Sequence, residues 1–171
     1  MTGRPNRQSK SAPPAMPDLG PIEHLPTGLL RPYARNARTH NDRQVALIAQ
    51  SLETFGFNNP IIAEEDGTII AGHGRWLAAQ QLGLATVPVV RVKHLNRKKI
   101  LAYRLADNRL AELAGWDQEM LILEFGELDS LDLDFSIEIT GWSHAEIDVI
   151  LDPSRYAAPH SACKFCDRCR A

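Results

Sequence analysis

The chain of 171 residues has only three cysteines, all within its last nine positions, so no disulfide framework can hold the body together. Its fold must rest on an apolar core. Long hydrophobic runs are also missing: nothing approaches the roughly 20 apolar residues that span a bilayer. The first thirty residues lack the apolar stretch of about 7–15 residues that a secretory signal needs. Instead, Arg4 and Arg7 lead into SKSAPPAMPDLGP. These absences exclude a membrane-spanning or exported chain and predict a soluble, cytoplasmic one. A third absence is local. Residues 110–152 contain no lysine or arginine but 12 acidic residues.

That gap organises the charge. Residues 1–109 carry 15 basic against 8 acidic residues, a net +7, and residues 153–171 carry 4 against 1, a net +3. The total of -2 therefore hides either a basic part suited to an anion such as nucleotide or nucleic acid and an acidic part unsuited to one, or simply acidic helices that are well solvated. With 44% apolar residues the chain can build one ordinary core, which excludes wholesale disorder and a multidomain enzyme.

Four prolines among residues 1–20, with Ser, Lys and Arg, predict a disordered basic tail. Residues 22–30 suggest a short strand or turn, followed by a loop that holds Arg31, Arg35 and Arg38, candidate contacts to a DNA backbone or else a solvated basic loop. Val45, Ile48, Ala49, Leu52 and Phe55 repeat at helical spacing, with Asn41 or Thr39 as N-cap and Gly56 as the stop. Pro60–Ala63 and Thr68–Ala71 flank an Asp-Gly turn and predict a hairpin. After Gly72-His73-Gly74-Arg75 comes a short helix closed by Gly83. Val87–Val92 reads as a strand, placed near a sheet edge by Pro88.

A helix from Asn96 to Gly115 has Ile100, Leu101, Leu105 and Leu110 as its apolar stripe, and Arg97, Lys98, Lys99 and Arg104 elsewhere on its surface. Arg97, Lys98 and Lys99 join the candidate DNA contacts. Further helices are predicted from Asp117 and from the capping box Ser143–Glu146, with LDLDFSIEIT extended between them. The expected divisions are 1–20, a mixed α/β domain over 21–110, an acidic helical extension over 111–152, and a cysteine-containing tail over 153–171. Trp76 is expected in the core or on a base, and Trp116 at a core edge.

The GHGR turn places two glycines between a buried strand and a helix. Glycines let backbone amides approach a phosphate, a helix start offers unpaired N–H groups, and Arg75 adds a forked donor. Tight packing of the corner is the alternative, because Leu77 stands where a dinucleotide fingerprint has its third glycine. His73 is a candidate base or phosphate contact, with a packed or solvent-facing histidine as the equal alternative. In the tail, His160, Cys163, Cys166 and Cys169 follow at three-residue intervals. Such uniform spacing leaves little scaffold for zinc and favours a reactive tail.

Taken together, LRPYARNARTH, GFNNPIIA, GHGR, VPVV and Ala106-Asp107-Asn108-Arg109 make residues 22–150 resemble the ParB/sulfiredoxin superfamily, in particular ParB-like N-terminal domains. AGHGR and LADNRLAELAGWD are similar to the form often found ahead of a DNA methyltransferase. The resemblance implies a small ParB/sulfiredoxin-like mixed sheet with helices, and phosphate contacts at Gly72, Gly74 and Arg75, with His73 between them a candidate on its own chemistry. It also implies magnesium at Asp107 and Asn108, with CTP or ATP as the nucleotide. Asp107 could equally be a surface carboxylate beside Arg104 or Arg109.

His73 stands where partitioning members usually have Glu, and the 43-residue acidic stretch is too short for their helix-turn-helix and dimerising parts. This argues against chromosome segregation by this chain alone. No cysteine occupies the turn, which excludes sulfiredoxin chemistry. Three functions remain: a DNA-associated binding or regulatory module, a magnesium-dependent nucleotide hydrolase or nuclease with Asp107 as catalytic candidate, and an accessory domain for a methyltransferase.

Overall fold

The computed structural model describes Pro17 and residues 19–152. Strand β1 (Ile22–Pro26) runs into a 3-10 turn (Thr27–Leu29), and the basic loop leads to helix α1 (Asp42–Phe55). The hairpin strands β2 (Ile61–Ala63) and β3 (Ile69–Ala71) precede α2 (His73–Gln81), β4 (Thr86–Arg91) and α3 (Arg97–Glu112). Helix α4 (Gln118–Ser130), a second 3-10 turn (Ile137–Thr140) and α5 (His144–Leu151) complete the described part. The mixed α/β expectation holds, and α3 continues two residues past the expected division at 110.

Local chemistry sets most of these boundaries. Asn41, Asn96 and Asp117 accept backbone N–H bonds from the first turns of α1, α3 and α4. Ser143 and Glu146 form the full capping box of α5, and each cap satisfies donors that a bare helix start leaves open. Gly56 ends α1 with φ +82°. In the hairpin, Asp66 accepts from the Thr68 N–H at 2.9 Å and Gly67 has φ +84°.

The sheet order is β1-β4-β2-β3, with β4 antiparallel to β1 and parallel to β2. The edge position expected for residues 87–92 is therefore wrong: β4 lies inside the sheet. Pro88 is tolerated because it faces His24 of β1 and precedes the first β2 pair, Ile61 with Val89, so no β2 pairing falls on the proline.

Alternation along the strands gives the sheet two covered faces. Ile61, Ala63, Ile69, Val87 and Val89 pack with Leu30, Ala79 and Trp76 on one face. Ile70 and Val92 meet Ile100, Ile62 and Tyr103 under α3 on the other. Trp76 is thus a core residue, and its indole donates to the Thr27 carbonyl at 3.2 Å. A separate core of Leu121, Phe125, Ile147 and Trp142 joins α4 to α5.

Two further expectations change. Residues 131–136 form no strand and Ile137–Thr140 is a 3-10 turn, because alternation alone cannot supply the missing partner strand; Ile139 is buried instead and Phe135 meets Phe55 edge-on at 5.6 Å. Arg104 is not on the surface but 8% exposed, held by Glu64 and by the Tyr33 ring. Trp116 is largely exposed, with one edge against Trp142 at 5.8 Å.

Candidate anion-binding site

Strand β3 stops at Ala71, and Gly72 turns the chain into α2 with φ +95°, a left-handed conformation that side chains resist. No side chain caps this helix. The Trp76 N–H bonds the Gly72 carbonyl at 3.0 Å, whereas the first amides of a helix have no intrahelical acceptor and carry its positive dipole end. The start of α2 therefore offers open donors.

Arg75 folds back over the turn. A Cβ on Gly72 would lie 2.9 Å from its Nη2, so glycine here makes room for the guanidinium. The Nη2 donates to the Pro60 carbonyl at 3.3 Å, while the Nε is buried with no hydrogen-bond partner. Burial holds the guanidinium pKa below its usual value, opposed by the nearby Asp107 charge and by Tyr103. Arg75 still remains a cation. Burial, reinforced by the nearby Asp107 carboxylate, raises the Tyr103 pKa. The side chains Arg75, Tyr103 and Asp107 form one group.

Gly74 has a different task. A Cβ there would lie 2.9 Å from Ile48 Cδ1 and 3.1 Å from His40 Cε1, so this glycine lets α1 and His40 pack against the turn. His73 is buried, and its Nε2 accepts the Tyr33 N–H at 3.2 Å. Burial, with His40 and Arg104 adding positive charge, pushes its pKa down to about 4. The ring is neutral at physiological pH, and this acceptor is already engaged in tying the basic loop to α2.

The turn opens on a cavity of about 820 Å³. Arg38, Gly72, His73, Gly74, Arg75, Asp107 and Asn108 all line it, so the structure gathers the phosphate and magnesium candidates into one place. Gln44, Ser51, Asn58 and Asn59 on and after α1, together with Thr140, add polar groups that sequence reading missed. The unused faces of an amphipathic helix were the available signal. Asn108 donates its amide to the Arg104 carbonyl at 2.9 Å, which leaves its side-chain oxygen for another partner.

The other candidates separate. Arg31 pairs with Asp66 at 3.0 Å, and Arg38 pairs with Glu112, which also binds Arg109 at 3.1 Å. Arg35 lines a smaller cleft with Tyr33 and Arg109. Arg97, Lys98 and Lys99 are exposed on the first turn of α3 without an acidic neighbour in that turn. Positive charge there opposes the helix dipole. His160 and the three cysteines fall outside the described residues. Among the described residues no three His, Cys, Asp or Glu side chains cluster to hold a metal, and no helix is long and apolar enough to cross a membrane.

An uncapped strand-to-helix turn with a half-buried arginine is thus set on a four-stranded mixed sheet. A family model of the ParB N-terminal domain matches residues 16–109, and the chain belongs to that family. The ParB-like nuclease domain-containing protein YnaK of Escherichia coli is 49% identical over 75 residues, covering 44% of this chain and 86% of YnaK. A nucleoid occlusion protein of Geobacillus kaustophilus is 31% identical over 116 residues, and the match spans 64% of this chain but 41% of that protein. The truncated chromosome-partitioning protein ParB of Caulobacter crescentus, solved with CTP-gamma-S, superposes with a TM-score of 0.62 at 22% identity, covering 77% of each chain. At that identity the likeness is one of fold.

A second family model, the ParB-methyltransferase HTH domain, matches residues 119–167. This corrects the expectation that the 43-residue acidic stretch leaves the chain without a helix-turn-helix. The match uses the acidic stretch and continues past it, so the length of that stretch alone was the wrong measure.

Proposed function

We infer that the chain is a DNA-associated binding module that takes a nucleoside triphosphate, CTP or ATP, with its phosphates on the GHGR turn. The observation that carries this is the buried, unpartnered Nε of Arg75 beside the open amides of α2, facing the large cavity. A buried donor without an acceptor costs about 1–3 kcal/mol, which an incoming phosphate oxygen relieves. Asp107 and the Asn108 oxygen are hard ligands of the kind magnesium takes alongside phosphates. Bound there, the ion would neutralise phosphate charge. Arg35, Arg97, Lys98 and Lys99 supply positive charge for a DNA backbone, with Arg31 and Arg38 available once released from their carboxylates. The setting of such a module is cytoplasmic, and a DNA methyltransferase is a fitting partner given the second family match.

Isothermal titration with CTP, ATP and GTP, with and without magnesium, tests this reading. The expected result is magnesium-dependent binding of at least one triphosphate that Arg75→Ala weakens at least about tenfold, the loss of a charge-assisted hydrogen bond. Absence of binding by all three nucleotides overturns it. A second reading, a magnesium-dependent nucleotide hydrolase or nuclease, rests on Asp107 facing the same cavity. Turnover that survives Asp107→Ala rejects it.

A further inference from the structure

The junction between α3 and α4 is bare. Every residue from 109 to 120 is exposed, although this stretch carries Leu110, Leu113, Trp116 and Met120, and Leu123 follows one turn later. Leu110, Leu113, Trp116 and Leu123 are about two-thirds exposed and Met120 half exposed. Leu113, the helical C-cap of α3, follows Leu110 by three residues, and Leu123 follows Met120 by three on α4, which puts each pair on a shared face. Trp116 lies between the two pairs, braced edge-on by Trp142 at 5.8 Å. Apolar groups concentrated this way on a water-facing segment mark a docking surface.

Charge selects the occupant. Asp117, Glu119, Glu124 and Glu127 are exposed along the same segment, and residues 110–152 hold no lysine or arginine at all. A nucleic-acid backbone or an anionic membrane is repelled by such a surface. A helix-turn-helix ordinarily reads DNA through a helix in the major groove, yet α4 and α5 lie wholly within this acidic region. We propose that the α3–α4 junction and α4 dock a basic amphipathic helix of another protein, its leucine-type face against Leu110, Leu113, Trp116, Met120 and Leu123, its lysines against the carboxylates. The helix pair then serves protein recognition, and DNA binding stays with the basic half of the chain. Helix-in-groove docking of this kind reads anchors at i, i+3 and i+7.

The test uses the full chain and a fluorescently labelled peptide of leucine, lysine and alanine patterned as an amphipathic helix, followed by anisotropy. A scrambled peptide of the same composition is the control. The proposal expects the patterned peptide to bind at least about tenfold more tightly than the scrambled one, and to weaken as salt shortens the screening length from about 10 Å at 0.1 M to about 3 Å at 1 M. The double variant Leu113→Lys with Met120→Lys should abolish binding with an unchanged melting temperature, while Leu29→Lys, exposed on the basic half, should not. Equal binding of both peptides overturns the proposal, as does binding that the double variant leaves intact. Sedimentation of the wild-type chain as a dimer that the double variant splits also overturns it, since a second copy would then cover the face.

Discussion

The Arg75 guanidinium occupies the space that a side chain on Gly72 would need, with 2.9 Å between its Nη2 and the position of that absent Cβ. The turn and the cation are thus one device, in which the glycine provides both the left-handed backbone and the room for the charge.

Gly72→Ala should consequently do two things. The left-handed backbone costs a residue with a Cβ about 1–2 kcal/mol, which thermal melting will register. The displaced guanidinium should lower triphosphate affinity at least about tenfold, seen by titration at a temperature where the variant is folded. Gly74→Ala is the contrast: it crowds Ile48 and His40 and costs about 1–3 kcal/mol by overpacking, but leaves Arg75 in place, so affinity per folded molecule should hold.

His73 predicts an acid limb in stability. Its folded pKa, about 4, lies below the ordinary histidine value of 6.5, so the unfolded chain binds more protons between those values. Stability is full above pH 6.5 and falls as pH drops toward 4, by about 3 kcal/mol for this group if burial persists. Urea titrations from pH 7 to 4.5 will show the slope, and His73→Gln should flatten it. Asp66, Glu112, Glu138 and Glu146, whose pKa values are lowered, lose their favourable charge only at more acid pH.

Arg104 should be a stability residue despite its charge. It is nearly buried, donates to Glu64 at 2.6 Å and lies 3.8 Å from the centre of the Tyr33 ring. Arg104→Met strands the Glu64 carboxylate and frees the basic loop, at a cost of about 2–3 kcal/mol in chemical unfolding. Adding Glu64→Gln should recover part of the loss, because the uncompensated charge is then gone.

Glu112→Gln should act on binding rather than stability. It releases Arg38 and Arg109 together, and both are exposed enough that the melting temperature should stay put. DNA affinity at low salt should rise, and the slope of log affinity against log salt should steepen by about 0.9 for each additional phosphate neutralised. An unchanged slope would place Arg38 and Arg109 outside the DNA-binding surface.

What the sequence made legible was local. The helix starts near Asn41, Asn96, Asp117 and Ser143, the Asp-Gly hairpin and the GHGR corner each depend on residues within one or two turns of each other, so spacing alone reveals them. Asp107 and Asn108 joined the turn through resemblance to the ParB family, and the structure gathers them around one cavity. The rest depends on distant partners. Arg104 reads as a surface residue until β3 and the Tyr33 loop close over it, and the choice between a reactive and a packed His73 stays open until Tyr33, forty positions earlier, donates to it. Residues 131–136 alternate like a strand but find no neighbour to pair with.

Strand β4 joins two stretches of chain that meet nowhere else in the sheet: residues 22–26 on one side and the hairpin on the other. Shortened versions that begin after Pro26 would leave the outer backbone of Thr86–Val90 unpaired. Val87 and Val89, now fully buried, would sit beside an open template for strand addition, a recognised route to aggregation. Soluble fragments of this protein should therefore keep Ile22–Pro26, even where only the GHGR turn is of interest.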